Sequence, residues 1–159
     1  MTGNEYKHRI ARYVISAYAR RGLSVYDEVT LGTSIIGKRR RIDLFLHERE
    51  GNRVLALECK YQDSSGTADE KIPYALDDLA ALRVPACIVY AGTGFSAGVL
   101  HLLQGSELAA YCMPDDDMKT APRPQTGSLD AGTWQLDHIL AATFGWWDIV
   151  LSGRSPLLL

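Results

Sequence analysis

The stretch Leu55-Ala56-Leu57-Glu58-Cys59-Lys60 decides how the rest of the chain is read. A β-strand sends successive side chains to opposite faces. Leu55, Leu57 and Cys59 therefore point one way, toward a core, while Ala56, Glu58 and Lys60 point the other way. An apolar strand that sets a carboxylate beside an ammonium on one face is costly unless the charges are paired or used. Just upstream, Arg41-Ile42-Asp43-Leu44-Phe45-Leu46 alternates in the same manner, with Asp43 on its polar side. Between the two strands lies Glu48-Arg49-Glu50-Gly51-Asn52, a short polar segment suited to a hairpin turn.

If that hairpin forms, Asp43 lies next to Glu58. Two neighbouring carboxylates repel each other. A hard divalent cation resolves the repulsion, because it takes oxygen ligands and keeps several waters. The expected metal donors are Asp43, Glu58 and the backbone carbonyl of Cys59, with Mg²⁺ as the ion and Mn²⁺ as a substitute. Such an ion polarises a phosphoryl oxygen and acidifies a bound water. Lys60 is placed to orient that water or to neutralise charge in the transition state.

Outward from this centre, Asn4 to Arg21 reads as an amphipathic helix with Tyr6, Ile10, Tyr13, Val14, Ala17 and Tyr18 on one face. Thr2 and Glu5 make a capping box at its start, and Gly22 stops it. Strands are expected at 25–31, 40–47, 53–61, 86–91 and 108–112. Thr67 and Glu70 form a second capping box, opening a helix to about Leu82 with Pro73 in its first turns. Further helices are expected at 96–103 and 135–144, and 113–132 reads as a Pro/Gly-rich loop. The order predicts a mixed α/β sheet flanked by helices, in one domain over 1–159. Its core covers about 4–112, and 113–159 forms a loop and C-terminal extension.

At this point the residues resemble the PD-(D/E)XK nuclease superfamily. The resemblance rests on Asp43, then Glu58-Cys59-Lys60 a hairpin later, after an N-terminal helix, and covers roughly Glu5 to Leu103. The family's proline is replaced by Ile42. The likeness implies a restriction-endonuclease-like fold and a metal-dependent DNA endonuclease with Asp43, Glu58 and Lys60 at its centre. It also implies supporting roles for Gln62, two residues past Lys60, and for Glu5 on the first helix. Gly66 to Tyr74 is similar to a segment of restriction-type and phage-encoded members. A branched junction, as for resolvase-like members, and a specific duplex sequence both remain open as substrates. Cleaving a duplex from so short a chain implies a homodimer. The alternative is a non-cleaving DNA-binding or assembly protein of the same fold.

The net charge of −2 does not by itself announce a nucleic-acid binder. Its distribution is uneven: Lys7, Arg9, Arg12, Arg20, Arg21 and the run Lys38-Arg39-Arg40-Arg41 fall in the first half. The run reads either as a solvated turn or as a phosphate-contacting edge, and Arg9 and Arg12 have the same two readings. Gly92-Thr93-Gly94 lacks the G-x-G-x-x-G spacing and reads as a tight strand-to-helix turn rather than a nucleotide-binding one. His8, His47, His101 and His138 are scattered, and Asp115-Asp116-Asp117 reads as a solvated loop. Cys59, Cys87 and Cys112 suggest neither a disulfide nor a zinc site. With no apolar run of spanning length and no signal-peptide pattern, a cytoplasmic, non-membrane setting is expected.

Overall fold

In a computed structural model, residues 1–119 and 131–159 are described. The first helix, α1 (Gly3–Tyr18), begins with the expected capping box. Thr2 Oγ1 accepts from the Glu5 N–H at 3.1 Å, and the Glu5 carboxylate accepts from the Thr2 N–H at 2.6 Å. A single 3-10 turn, Ala19–Arg21, carries the chain to Gly22 at φ 78°, a conformation in which a side chain is disfavoured. Three antiparallel strands follow: β1 (Leu23–Thr33), β2 (Arg39–Glu48) and β3 (Arg53–Tyr61). They lead to α2 (Ala68–Ala80), β4 (Ala86–Ala91), α3 (Ala97–Gln104) and β5 (Ala109–Tyr111). The chain ends in α4 (Trp134–Phe144) and α5 (Trp147–Leu151).

The sheet runs in the order β1-β2-β3-β4-β5. β1, β2 and β3 meander, while β4 joins β3 in parallel after the α2 crossover and β5 joins β4 in parallel after α3. This is the mixed sheet the sequence predicts. Leu44, Leu46, Leu55, Leu57 and Cys59 all pack into one core with Tyr6, Ile10, Tyr13 and Val14 of α1. On the opposite face Ile88 and Tyr90 pack with Ile72, Leu76 and Leu79 of α2. Asp43 and Glu58 belong to that second face by strand alternation.

Three details differ from expectation. The Thr67–Glu70 capping box is not formed: Thr67 sits in helical backbone geometry (φ −77°, ψ −7°) and makes no side-chain cap. The Ala68 N–H instead donates to Gln62 Oε1 at 3.1 Å. Pro73 lies inside α2 rather than at its start, where it removes one helical hydrogen bond. The C-terminal extension is no appendage, since Leu136, Leu140, Phe144 and Trp146 complete the α1-side core. Trp146 stacks on Tyr18, whereas Trp147 is exposed. Most of the expected loop 113–132 lies at 120–130, outside the described residues. No described helix is long and apolar enough to cross a membrane. The three cysteines are free and buried.

Candidate active site

The β2–β3 register ends with Leu44 opposite Leu57, and the side chains of the next residue on each strand, Asp43 and Glu58, meet by hydrogen bonding. The paired ladder stops there. Asp43 Oδ2 takes the place of the next β2 carbonyl and accepts from the Cys59 N–H at 2.8 Å. β2 and β3 thus part at a fork filled by a carboxylate. A strand residue's N–H and C=O point to the same edge, so the Cys59 carbonyl also points toward this fork.

Glu58 lies in the fork beside Asp43, its side chain 17% exposed, with the Lys60 ammonium 3.6 Å from Oε2. Burial, and then the negative charge of Asp43, push the Glu58 carboxyl up to about 8, against the opposing pull of Lys60. One ammonium thus faces two carboxyl groups and does not suffice to keep both ionised at neutral pH. Among the described residues no three His, Cys, Asp or Glu side chains gather into a metal-ligating group. The donor set is two carboxylates and a backbone carbonyl. That is too few for a closed zinc site, and it suits a hard cation that keeps waters.

The other expected site residues take up different positions. Gln62 is buried, and its amide is spent on the scaffold. Nε2 donates to Asp69 Oδ1 at 3.2 Å and to the Gly94 carbonyl at 2.9 Å, while Oε1 caps α2. The structure brings it onto the same face of the sheet but commits it to holding the end of β3 against α2 and the Gly92–Gly94 turn. That turn is tight for a reason visible in the backbone. A Cβ at Gly92 would lie 2.0 Å from the Gln62 carbonyl oxygen, and one at Gly94 would lie 2.4 Å from the Ser64 backbone. The glycines permit close loop packing, as the turn reading expects. Glu5 is held in its capping box, where the Thr2 N–H and hydroxyl keep its carboxyl below the usual range.

The basic residues divide. Arg40 is buried, donating from Nε and Nη2 to the Asp78 carboxylate on α2 at 3.1 and 2.8 Å. Asp78, and after it Tyr74 and Glu58, hold that guanidinium firmly in its charged form. The sequence run did not distinguish this arginine from its neighbours, because its burial depends on a helix dozens of residues away. Lys38, Arg39 and Arg41 are exposed, with Arg41 3.5 Å from Glu28. Arg9 donates to the Pro114 carbonyl at 2.7 and 2.9 Å and lies 3.1 Å from Asp116, while Arg12 is exposed. Lys7, which the sequence offered only as one more cation, is buried and joins α1 to Asp27 and Glu28 of β1 at 2.7 and 3.2 Å.

The sequence profile of the PD-(D/E)XK nuclease superfamily domain matches residues 2–147. No curated protein matches the chain in sequence. Solved structures similar to it include a protein of unknown function, with a TM-score of 0.47 and 16% identity over 69% of this chain and 58% of that one. A repair endonuclease from Pyrococcus abyssi gives a TM-score of 0.38 and 14% identity over 66% of this chain and 45% of that one. A complex of EndoMS with double-stranded DNA gives 0.40 and 16% over 70% of this chain and 44% of that one. The chain thus spans about half the length of these solved proteins. With the profile covering nearly all of its length, the chain belongs to the PD-(D/E)XK nuclease superfamily.

Proposed function

We propose that the chain is a divalent-metal-dependent DNA endonuclease with Asp43, Glu58 and Lys60 as its working residues. The observation that carries this reading is the fork between β2 and β3, where two carboxylates and one ammonium converge on the same sheet face. A strand pair has no structural need for that arrangement. Burying Glu58 against Asp43 is unfavourable in the free protein, and a bound cation offsets the cost.

Asp43, Glu58 and the Cys59 carbonyl would hold Mg²⁺ or Mn²⁺. When bound, such an ion supplies a Lewis acid for the phosphoryl oxygen and lowers the pKa of water. The protein's own contribution is positional. The Cys59 N–H fixes one oxygen of Asp43 and so holds its carboxylate in place beside Glu58. Lys60, its side chain 27% exposed, stands at the solvent side of Glu58, where it can orient an attacking water and offset charge building on the phosphate. Hydrolysis adds water across one P–O bond, leaving a phosphate on one product end and a hydroxyl on the other. One fork cuts one strand, so cleavage of both strands is read as the work of a homodimer. The free cysteines fit a reducing, cytoplasmic setting.

Linear duplex, single-stranded, flap and four-way-junction DNA, each incubated with the protein and Mg²⁺ or Mn²⁺, test the reading beside Asp43→Ala and Lys60→Ala. Cleavage that requires metal and disappears in both variants is expected, and the panel ranks the substrates. Equal cutting by the variants, or none by the wild type, would overturn it. DNA binding without cutting would favour the non-cleaving alternative.

A further inference from the structure

The turn between β1 and β2 carries two isoleucines that the core does not use. Ile35 is 50% exposed and Ile36 60% exposed. They sit at the tip of a hairpin whose return strand begins with Lys38, Arg39 and Arg41, all exposed. The tip is an ordered structure. The Ser34 N–H donates to the Lys38 carbonyl at 2.7 Å and the Gly37 N–H to the Ser34 carbonyl at 2.9 Å. Asp78 of α2 accepts from the Ile35 N–H at 3.0 Å with the same carboxylate that holds Arg40. One side chain thus ties both the turn and its return strand to the helix that covers the Glu58 face. Asp43 follows Lys38 along β2 by five residues, which puts Lys38 about 16 Å from the fork at about 3.3 Å per strand residue, with the isoleucines just beyond it at the turn. That is the length of about five base pairs or slightly more at about 3.4 Å each.

Exposed apolar side chains flanked by cations, on a rigid projection beside a phosphodiester site, match one task well. The cations hold phosphates while the apolar pair enters between bases. Charge complementarity selects nucleic acid as the occupant: among the described residues, Arg41 alone of the three exposed cations has an acid within ion-pair distance, Glu28 at 3.5 Å. We propose that the Ile35–Ile36 tip is a wedge that opens a base step of duplex DNA about five or six base pairs from the cut, with Lys38 and Arg39 gripping the adjoining backbone. The substrate class that follows is duplex DNA carrying an easily unstacked step, such as a mismatch, a branch point or a pyrimidine–purine step. The proposal rests on the nuclease reading and extends it.

The test uses the full chain and duplexes with 2-aminopurine placed at successive positions, in buffer with Ca²⁺ in place of Mg²⁺, followed by cleavage assays with Mg²⁺. The wild type is expected to raise 2-aminopurine fluorescence several-fold at one position near the predicted spacing, and to cut a mismatched duplex about tenfold faster than a paired one. Ile35→Ser/Ile36→Ser should lose both effects while keeping the salt dependence of binding. Both positions are exposed, and its thermal melt should match the wild type. Lys38→Gln/Arg39→Gln should lower the salt slope by about two yet still unstack the base once saturated. If the wild type binds and cuts without unstacking, or the isoleucine variant keeps the signal, the wedge fails and the nuclease reading stands. If the isoleucine variant instead converts dimers to monomers at unchanged DNA affinity, the tip is a protein interface and the wedge is overturned. If the wild type neither binds nor cuts any DNA, both readings fall.

Discussion

Two acids drawn out of solvent, the half-buried Glu58 and the buried Asp137, lie on opposite faces of the sheet, and they are treated differently. Asp137 of α4 is 3% exposed and receives hydroxyl hydrogen bonds from Tyr13, Tyr18 and Thr133. Burial raises its carboxyl above the usual range, and those three donors pull it back. Glu58 is raised by burial too, but its neighbour Asp43 adds to the rise instead of opposing it. Asp137 is therefore a polar tie inside a core, linking α1 to α4 with its oxygens satisfied. Glu58 is a half-buried acid whose ionised form is left short of compensation, at a place open to a ligand. Burial alone does not separate structure from function here. The identity of what faces the carboxylate does.

Substitutions at the fork should show the largest effect. Asp43→Ala and Lys60→Ala are each expected to lower the single-turnover cleavage rate by about 10³-fold. Lys60→Ala should melt near wild type, since Lys60 is no part of a packed core, whereas Asp43→Ala also leaves the Cys59 N–H without its acceptor and should melt a few degrees lower. If either variant cut at more than a tenth of the wild-type rate, the fork would no longer be distinguished from an ordinary ion pair.

Next comes the other face. Asp137→Ala removes the acceptor that three buried hydroxyls share, with Tyr13 keeping its 3.1 Å bond to Thr133 Oγ1, at a cost of about 2–4 kcal/mol. For a domain of this size that is a drop of roughly 5–12 °C in Tm. Specific cleavage by the folded fraction should be unchanged, which separates the two clusters in one pair of assays. Glu58→Gln supplies the converse. At pH 7 the raised Glu58 carboxyl must take up a proton on folding, so the neutral isostere should raise metal-free stability by about 1 kcal/mol while abolishing cutting. Urea titration in EDTA reads the first effect, and the DNA assay reads the second. A destabilised Glu58→Gln would mean that Glu58 serves the fold, as Asp137 does.

What could be read from the sequence follows the range of the interactions. The fork was legible because it depends on strand alternation and on a turn of a few residues between Asp43 and Glu58. The Thr2–Glu5 capping box was legible for the same local reason. Thr67 and Glu70 carried the same local signature and failed, because Gln62, folded back from the end of β3, supplies the cap. Gln62 itself lies where alternation puts it, but its partners Asp69 and Gly94 come from two other elements, so the residues around Lys60 could not show that its amide is engaged there. Arg40 was indistinguishable within Lys38-Arg39-Arg40-Arg41 until α2 placed Asp78 against it. The core role of α4 was equally hidden, since its apolar face finds α1 across more than a hundred residues of chain.

The smallest effect expected is at that Arg40–Asp78 pair, and its pH dependence has the opposite sign to that of Asp137. Arg40, and then the Ile35 N–H, hold the Asp78 carboxyl below the ordinary carboxylate range. A depressed folded-state pKa means that the stabilisation is present above the unfolded value of about 4 and is lost as pH falls through the lower folded one. For Asp137 the folded value is raised, so its ionisation costs stability as pH climbs from about 4 through that value. Asp78→Asn keeps the shape and a neutral acceptor but removes the charge, and should cost about 1 kcal/mol at pH 7. The gap between variant and wild type should narrow steadily in melts taken below pH 4. Because Asp78 also holds the Ile35 turn, the same variant should raise KM for DNA more than it lowers kcat. A stability gap that stays constant with pH would show that the carboxylate holds the hairpin by shape and hydrogen bonding alone, with its charge contributing nothing.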